Sequence, residues 1–258
     1  MIKQEWILCQ GKRICAVTSN VDVDRSYSAG IIFLHGFSQT KAGAYGLFSQ
    51  ICESLDRDVP TLRFDYIGFG DSEGETSQAD FNTMVKDAEE MTGWFVNKIC
   101  CSKIIYIGHG VGNYIATMLA EKNPTSEAIL IMPQLKALNK EEKYRDIIKK
   151  IEFAEEYTDT SSLSLWNKKM DDFFALLGGR MNRSKGIVVK REFLKEMIAF
   201  DIEDHCLYPE NIKLLMNKDG DLTNISMNIL NDYELHDVLL LDMLEREKVI
   251  KTICEYRW

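Results

Sequence analysis

The residues best placed to do chemistry lie in Gly108-His109-Gly110-Val111-Gly112. Their spacing matches the frame G-x-S-x-G, in which a strand enters a helix through a sharp turn that holds the middle residue out for attack on a carbonyl carbon. Such a turn requires small residues on either side of the middle one, and Gly108 and Gly112 meet that requirement. The middle residue, however, is Gly110, which has no side chain to attack with. The segment therefore has the frame of a nucleophile elbow without its nucleophile. Other chemistries find no footing: the sequence has no P-loop, no G-x-G-x-x-G after the first strand, no H-E-x-x-H and no cysteines at metal-ligand spacing. No cofactor and no metal are expected, and Gly68-Phe69-Gly70 reads as a turn, not a phosphate cradle.

The elements around this segment alternate in type. Ile104-Ile105-Tyr106-Ile107 reads as a buried parallel strand, and the apolar run from Tyr114 to Leu119 as the helix after it. Earlier in the chain, Ile2 to Leu8 and Arg13 to Thr18 predict a hairpin turning at Gln10-Gly11. A polar connection runs from Asn20 to Ser28. Ile31-Ile32-Phe33-Leu34 is the continuous apolar run of a strand buried on both faces, and it ends at His35-Gly36-Phe37. A helix is expected from about Ala44 to Leu55, then a strand at Thr61-Leu62-Arg63-Phe64 and a glycine-rich turn from Asp65 to Gly74. Phe81, Met84, Val85, Ala88, Met91 and Phe95 recur at helical spacing. Ala128-Ile129-Leu130-Ile131 is the next buried strand. Strand–helix alternation of this kind argues for an α/β fold with a doubly wound, mainly parallel sheet. From Gln134 to about Asp204 the chain turns charged and helical, which predicts a helical cap over 134–204 inserted into a core domain of 1–133 and 205–258. The sheet resumes at Ile212 to Met216, and an amphipathic helix through Val249, Ile250, Ile253 and Tyr256 closes the chain.

Composition bounds the function. The chain has 258 residues, 45% hydrophobic and 28% charged, with a formal net charge of −9. Its length suffices for one large domain with a substantial core. The negative charge disfavours nucleic acid and anionic membrane surfaces as partners. No apolar run is long enough to span a membrane, and Met1 to Trp6 lacks a signal-peptide pattern. The 7 cysteines are odd in number and scattered, as expected of free thiols in a reducing, cytoplasmic setting.

Three segments in order, Leu34-His35-Gly36-Phe37, Arg63-Phe64-Asp65-Tyr66-Ile67-Gly68-Phe69-Gly70-Asp71-Ser72 and the 108–112 frame, resemble the α/β-hydrolases. In detail they are similar to the branch of feruloyl esterases, carboxylesterases and acyl-protein thioesterases. The resemblance implies that Phe37 and Val111 supply the two backbone amides of an oxyanion hole, each such donor contributing a few kcal/mol to the transition state. It places His35, Gly36 and His109 against the substrate, with His109 shaping the turn rather than acting as base. The acid follows the strand at 212–216: one register puts Gly220 there, flanked by Asp219 and Asp221, and a slide of one residue puts Asp221 there. A plain polar turn is the competing reading. His236 is the implied base, although Asp237 to Leu241 also reads as the last strand, which would make His236 merely its first residue. His205 reads as a surface or packing residue.

Three functions are compatible with these residues. The protein is a pseudo-hydrolase that keeps an acyl-ester or acyl-thioester ligand pocket, with a protein partner to act through. Alternatively it is an active ester or thioester hydrolase carrying glycine in place of serine. In the third, His236 activates water or a substrate proton without a covalent step.

Overall fold

The computed structural model describes residues 2–37, 39–133, 211–215, 222–224 and 243–256. The expected cap at 134–204 lies outside these residues, as do Asp219, Asp221, His205 and His236.

The chain opens with a hairpin, β1 (Ile2–Cys9) and β2 (Lys12–Ser19), paired antiparallel from Ile2↔Ser19 to Cys9↔Lys12. Gln10 and Gly11 form the two-residue turn with φ of 49° and 77°, the left-handed pair that matches the twist of the flanking strands. After β3 (Ser26–Tyr27) come β4 (Gly30–Leu34), a 3₁₀ turn (Ala44–Gly46), α1 (Leu47–Ser54) and β5 (Thr61–Phe64). Then follow a second 3₁₀ turn (Thr76–Gln78), α2 (Phe81–Lys98), β6 (Cys100–Cys101), β7 (Ile104–His109), α3 (Val111–Lys122) and β8 (Glu127–Ile131). The last described elements are β9 (Ile212–Leu215), β10 (Leu222–Asn224) and the helix Met243–Cys254, here α4.

Among the described residues, eight strands form one sheet in the order β1-β2-β5-β4-β7-β8-β9-β10. The central strands β5, β4, β7, β8 and β9 are mutually parallel, whereas β1, β2 and β10 run antiparallel to their neighbours. Alternation along the apolar runs sorts their side chains onto two faces. Ile32, Leu34, Leu62, Tyr106 and Leu130 pack against α2 and α3, while Ile31, Phe33, Ile105, Ile107 and Ile131 pack against α1 and α4. A doubly wound α/β sheet was the expectation, and this is one.

The structure departs from the sequence reading in four places. The helix expected from Ala44 to Leu55 is a 3₁₀ turn and then α1, broken where Tyr45 and Gly46 take φ of 52° and 78°. Within the polar connection, Ser26–Tyr27 pairs parallel with Cys100–Cys101 as a separate two-stranded sheet. β10 folds back antiparallel on β9, with Leu222 opposite Leu215, where the apolar spacing gave no warning of a hairpin. Finally, α4 ends at Cys254, and Tyr256 lies beyond it, its hydroxyl donating to Glu127 at 2.7 Å.

Candidate functional site

β4 and β7 lie side by side at the middle of the sheet, with Leu34 opposite Gly108. Their carboxyl ends therefore deliver His35-Gly36-Phe37 and His109-Gly110-Val111 to one place, where ligands bind in open α/β sheets.

Gly110 makes the turn from β7 into α3 with φ 58° and ψ −126°. L-residues seldom adopt such a conformation. The flanking glycines are set by contact: a β-carbon on Gly108 would lie 2.5 Å from the Gly112 carbonyl oxygen, and one on Gly112 would run into the Leu34 carbonyl. Both must be glycine for α3 to start this close to β4 and β7. Asn113 fixes the start of α3 further, its Nδ2 donating to the Ile131 carbonyl at 3.0 Å. Among the described residues, a β-carbon at position 110 would meet only the Gly36 Cα, at 3.3 Å. The turn and the His35–Phe37 loop are thus in contact, and position 110 faces that loop. Val111 is the first residue of α3, so its N–H points out of the helix start and has no place in the intrahelical ladder.

His35 is wholly buried, its ring centroid 4.5 Å from Tyr66 and 5.7 Å from Phe69. Nδ1–H donates to the Gly36 carbonyl at 2.8 Å, and Nε2 accepts the Tyr66 N–H at 3.4 Å. Both nitrogens are committed, and burial pushes the pKa down to about 4. His35 is therefore a neutral strut that fixes the loop. The Phe37 ring packs edge-on against Phe69 at 5.5 Å.

Gln39 is a residue the sequence reading passed over. Its Oε1 accepts the Gly36 N–H at 3.1 Å, and its Nε2 and Oε1 lie 3.1 and 3.2 Å from His109 Nδ1. The amide clamps the His35–Phe37 loop to the end of β7. Desolvation lowers the His109 pKa to about 4, so it is uncharged near neutrality. Nothing in the sequence singles out a glutamine in a polar loop.

A second supporting network lies behind the loop. Asp65, wholly buried, accepts the Lys41 N–H at 2.6 Å, the Lys41 ammonium at 2.7 Å and the Asp71 N–H at 2.9 Å. Lys41 also reaches Asp71 at 2.5 Å. Ser72 donates to the Asp65 carbonyl at 2.6 Å and accepts the Cys15 N–H at 2.9 Å. Cys15, Asp65 and Asp71 bring three ligand-type atoms within 4.8 Å of one another. The Lys41 ammonium already holds the cationic place among them, so the donor set does not suit a metal.

Among the described residues, then, the structure brings together Gly36, Phe37, His109, Gly110 and Val111, with His35 beneath them. Asp221 and His236 belong to undescribed segments. The sequence profile of the family described as serine aminopeptidase, S33, matches residues 26–170, more than half of the chain. The protein is a member of that family of α/β-hydrolases. Among curated relatives, the mouse 1-acylglycerol-3-phosphate O-acyltransferase ABHD5 is 32% identical over 140 residues, which are 51% of this chain and 36% of that protein. The zebrafish lysophosphatidylserine lipase ABHD12 is 33% identical over 93 residues, 36% of this chain and 23% of that one. The chain thus spans only about a third or less of these relatives' length. Among solved structures, the epoxide hydrolase CorEH aligns with a TM-score of 0.46 and 19% identity, over 81% of this chain and 72% of that one. The ferulic-acid complex of Est1E from Butyrivibrio proteoclasticus aligns with a TM-score of 0.43 and 20% identity, over 49% and 51%. No helix among the described residues is long and apolar enough to cross a membrane.

Proposed function

We propose that this α/β-hydrolase is a pseudo-hydrolase of the esterase and thioesterase type. It binds an acyl ligand at the His35–Phe37 and Gly110–Val111 turns and does not cleave it through a covalent intermediate. The observation that carries this reading is Gly110 itself. It holds the strained conformation of a nucleophile elbow, φ 58° and ψ −126°, between two glycines that contact forbids enlarging, and it has no side chain. In this reading the turn is built and its nucleophile is missing. The names of the mouse and zebrafish relatives, an acyltransferase and a lysophospholipid lipase, both refer to acyl-lipid chemistry, which supports an acyl group as the ligand. In this reading the Val111 and Phe37 amides receive the acyl carbonyl oxygen. His236 and one of Asp219 and Asp221 are the remaining parts of the ancestral triad, and the 134–204 segment is the cap that sets ligand size.

The test is to restore the nucleophile. Gly110→Ser should confer hydrolysis of a short aryl ester such as an aryl acetate, because the turn presets Oγ and the oxyanion donors are backbone groups. The added β-carbon meets Gly36 at 3.3 Å, so the loop must yield by only a few tenths of an ångström, at a backbone cost of about 1–3 kcal/mol. Adding His236→Ala should remove the gained activity by roughly a hundredfold or more. A folded Gly110→Ser protein inactive on esters of several chain lengths would count against a retained site. Hydrolysis by the unaltered protein that His236→Ala abolishes would replace this reading with non-covalent catalysis.

A further inference from the structure

β1 is the edge of the sheet, and among the described residues it has one neighbour, β2. It is eight residues long and pairs without a bulge, and it contains no proline. Sheet edges are normally blunted by such breaks or by charge. The one lysine on this edge, Lys3, is paired at 2.9 Å with Glu5, whose carboxylate Lys98 of α2 also holds at 2.6 Å. One face of the strand is apolar and open to solvent: Ile2 is 66%, Trp6 49% and Leu8 73% exposed. The opposite face carries Lys3 and Glu5, with Ile7 and Cys9 turned into the core.

The backbone pairing pattern shows which groups point outward. The two-residue turn closes on Cys9↔Lys12, and the closing pair of such a hairpin exchanges its hydrogen bonds across the ladder. Cys9, Ile7, Glu5 and Lys3 therefore direct their N–H and C=O groups at β2, and the Lys3 carbonyl duly accepts from Thr18 Oγ1 at 3.5 Å. By alternation, Ile2, Gln4, Trp6 and Leu8 direct theirs away from the protein.

We propose that this edge is a self-association surface, on which a second copy of the chain adds its own β1 antiparallel about a twofold axis at Gln4. In that register Gln4 faces Gln4 of the second copy and Ile2 faces Trp6, and each such pair exchanges both backbone hydrogen bonds. Between them Lys3 faces Glu5 on both sides of the axis, in the close, non-hydrogen-bonded pairs where side chains interact most, so that each Glu5 sits between Lys98 of its own chain and Lys3 of the second copy. The alternatives are poorer. Sliding two residues toward the turn places Glu5 against Glu5, which is destabilising, and sliding four leaves Lys3 and Glu5 opposite Cys9 and Ile7. A slide by one residue mismatches the outward hydrogen-bonding groups altogether. The overlap is short, so the dimer is reversible and belongs at the small end of specific interfaces.

Sedimentation velocity across a wide range of protein concentration tests this, together with hydrogen exchange of the β1 amides. A reversible dimer is expected, with exchange at Gln4 and Trp6 slowing as concentration rises. Gln4→Pro removes an N–H that points away from β2, a position where an edge strand tolerates proline. It should leave circular dichroism and Tm near those of the parent while weakening association by about thirtyfold, since the twofold axis removes one bond from each copy. Lys3→Glu, at an exposed side chain, should weaken association as well, because it sets like charges across the junction. A protein monomeric at every concentration, with Gln4 and Trp6 amides exchanging freely, overturns the proposal. So does a dimer that neither substitution weakens.

Discussion

At position 112 a single β-carbon decides whether α3 can begin where it does. That carbon would run into the Leu34 carbonyl and lie 3.1 Å from the His35 carbonyl, both backbone atoms of the strand and loop that form the site. Backbone cannot swing aside as a side chain can. Gly112→Ala should therefore cost about 3 kcal/mol, lowering Tm by roughly 6–12 °C for a chain of this size. Gly93 offers the opposite sign from the same chemical change. It is exposed in α2, and a β-carbon there meets nothing within 4 Å among the described residues. Gly93→Ala should raise stability by up to about 1 kcal/mol through helix propensity alone. Thermal melts of the two variants check both values, and equal shifts of like sign would show that contact at Gly112 is not what sets its identity.

The elements that carry the site are fixed at their ends as much as along their packed faces. α2 starts at a reciprocal cap: Asp80 Oδ1 accepts the Thr83 N–H at 2.8 Å, while Thr83 Oγ1 accepts the Asp80 N–H at 2.9 Å. Two amides left orphaned by the helix start are thereby satisfied. Asp80→Ala should destabilise the protein by about 1 kcal/mol, and a denaturant midpoint that falls with unchanged m-value would register it. α3 has no side-chain cap at all. Its first turn is held by the Asn113 side chain, by the Asn113 N–H donating to the Gly110 carbonyl at 3.1 Å and by the glycine contacts. The clamp of Gln39 between Gly36 and His109 ties the two turns in the same way, through a side chain that belongs to neither.

Asp87 couples the sheet to the loops at the level of the whole molecule. Buried on α2, it accepts from Ile67 N at 2.8 Å, Gln10 Nε2 at 3.0 Å and Cys9 Sγ at 3.7 Å. It thereby joins the β1–β2 turn, the Asp65–Gly74 loop and α2. Burial raises its pKa to about 6, with the nearby Glu90 charge adding to the effect. A carboxyl whose folded pKa exceeds its unfolded value near 3.8 keeps its proton better in the folded state. Its contribution to stability is therefore greatest below pH 4 and is lost as pH rises through about 4–6, amounting to about 3 kcal/mol at neutrality. Asp87→Asn should remove that loss, making the variant more stable than the parent at pH 7 and equal to it near pH 4. His35 and His109, with pKa values lowered to about 4, act in the opposite sense. They favour the folded state above pH 6.5 and weaken it as pH falls toward 4. Urea titrations of parent and Asp87→Asn across this range separate the effects, and two parallel stability curves would rule out ionised Asp87 as a source of strain.

Local chemistry made much of this protein legible in its sequence. Continuous apolar runs such as Ile31–Leu34 and Ala128–Ile131, short and bounded by turn residues, read as strands buried on both faces, and the spacing from Phe81 to Phe95 reads as a helix. The glycines of the 108–112 frame announced a turn too tight for side chains, because steric exclusion at neighbouring residues is a short-range effect. What depended on distant residues meeting was not written there. The pairing of Ser26–Tyr27 with Cys100–Cys101, the return of β10 onto β9 and the break at Tyr45 have no periodic signature. Gln39 gained its role only when folding set the Gly36 amide and the His109 ring on either side of it. Lys41 likewise gained its role from two aspartates more than twenty residues away. A hydrogen bond needs two partners in register, and a single sequence position holds only one of them. That residue 110 is a glycine without a side chain was plain from the sequence, but only the tertiary structure put that glycine at φ 58° against the Gly36 loop.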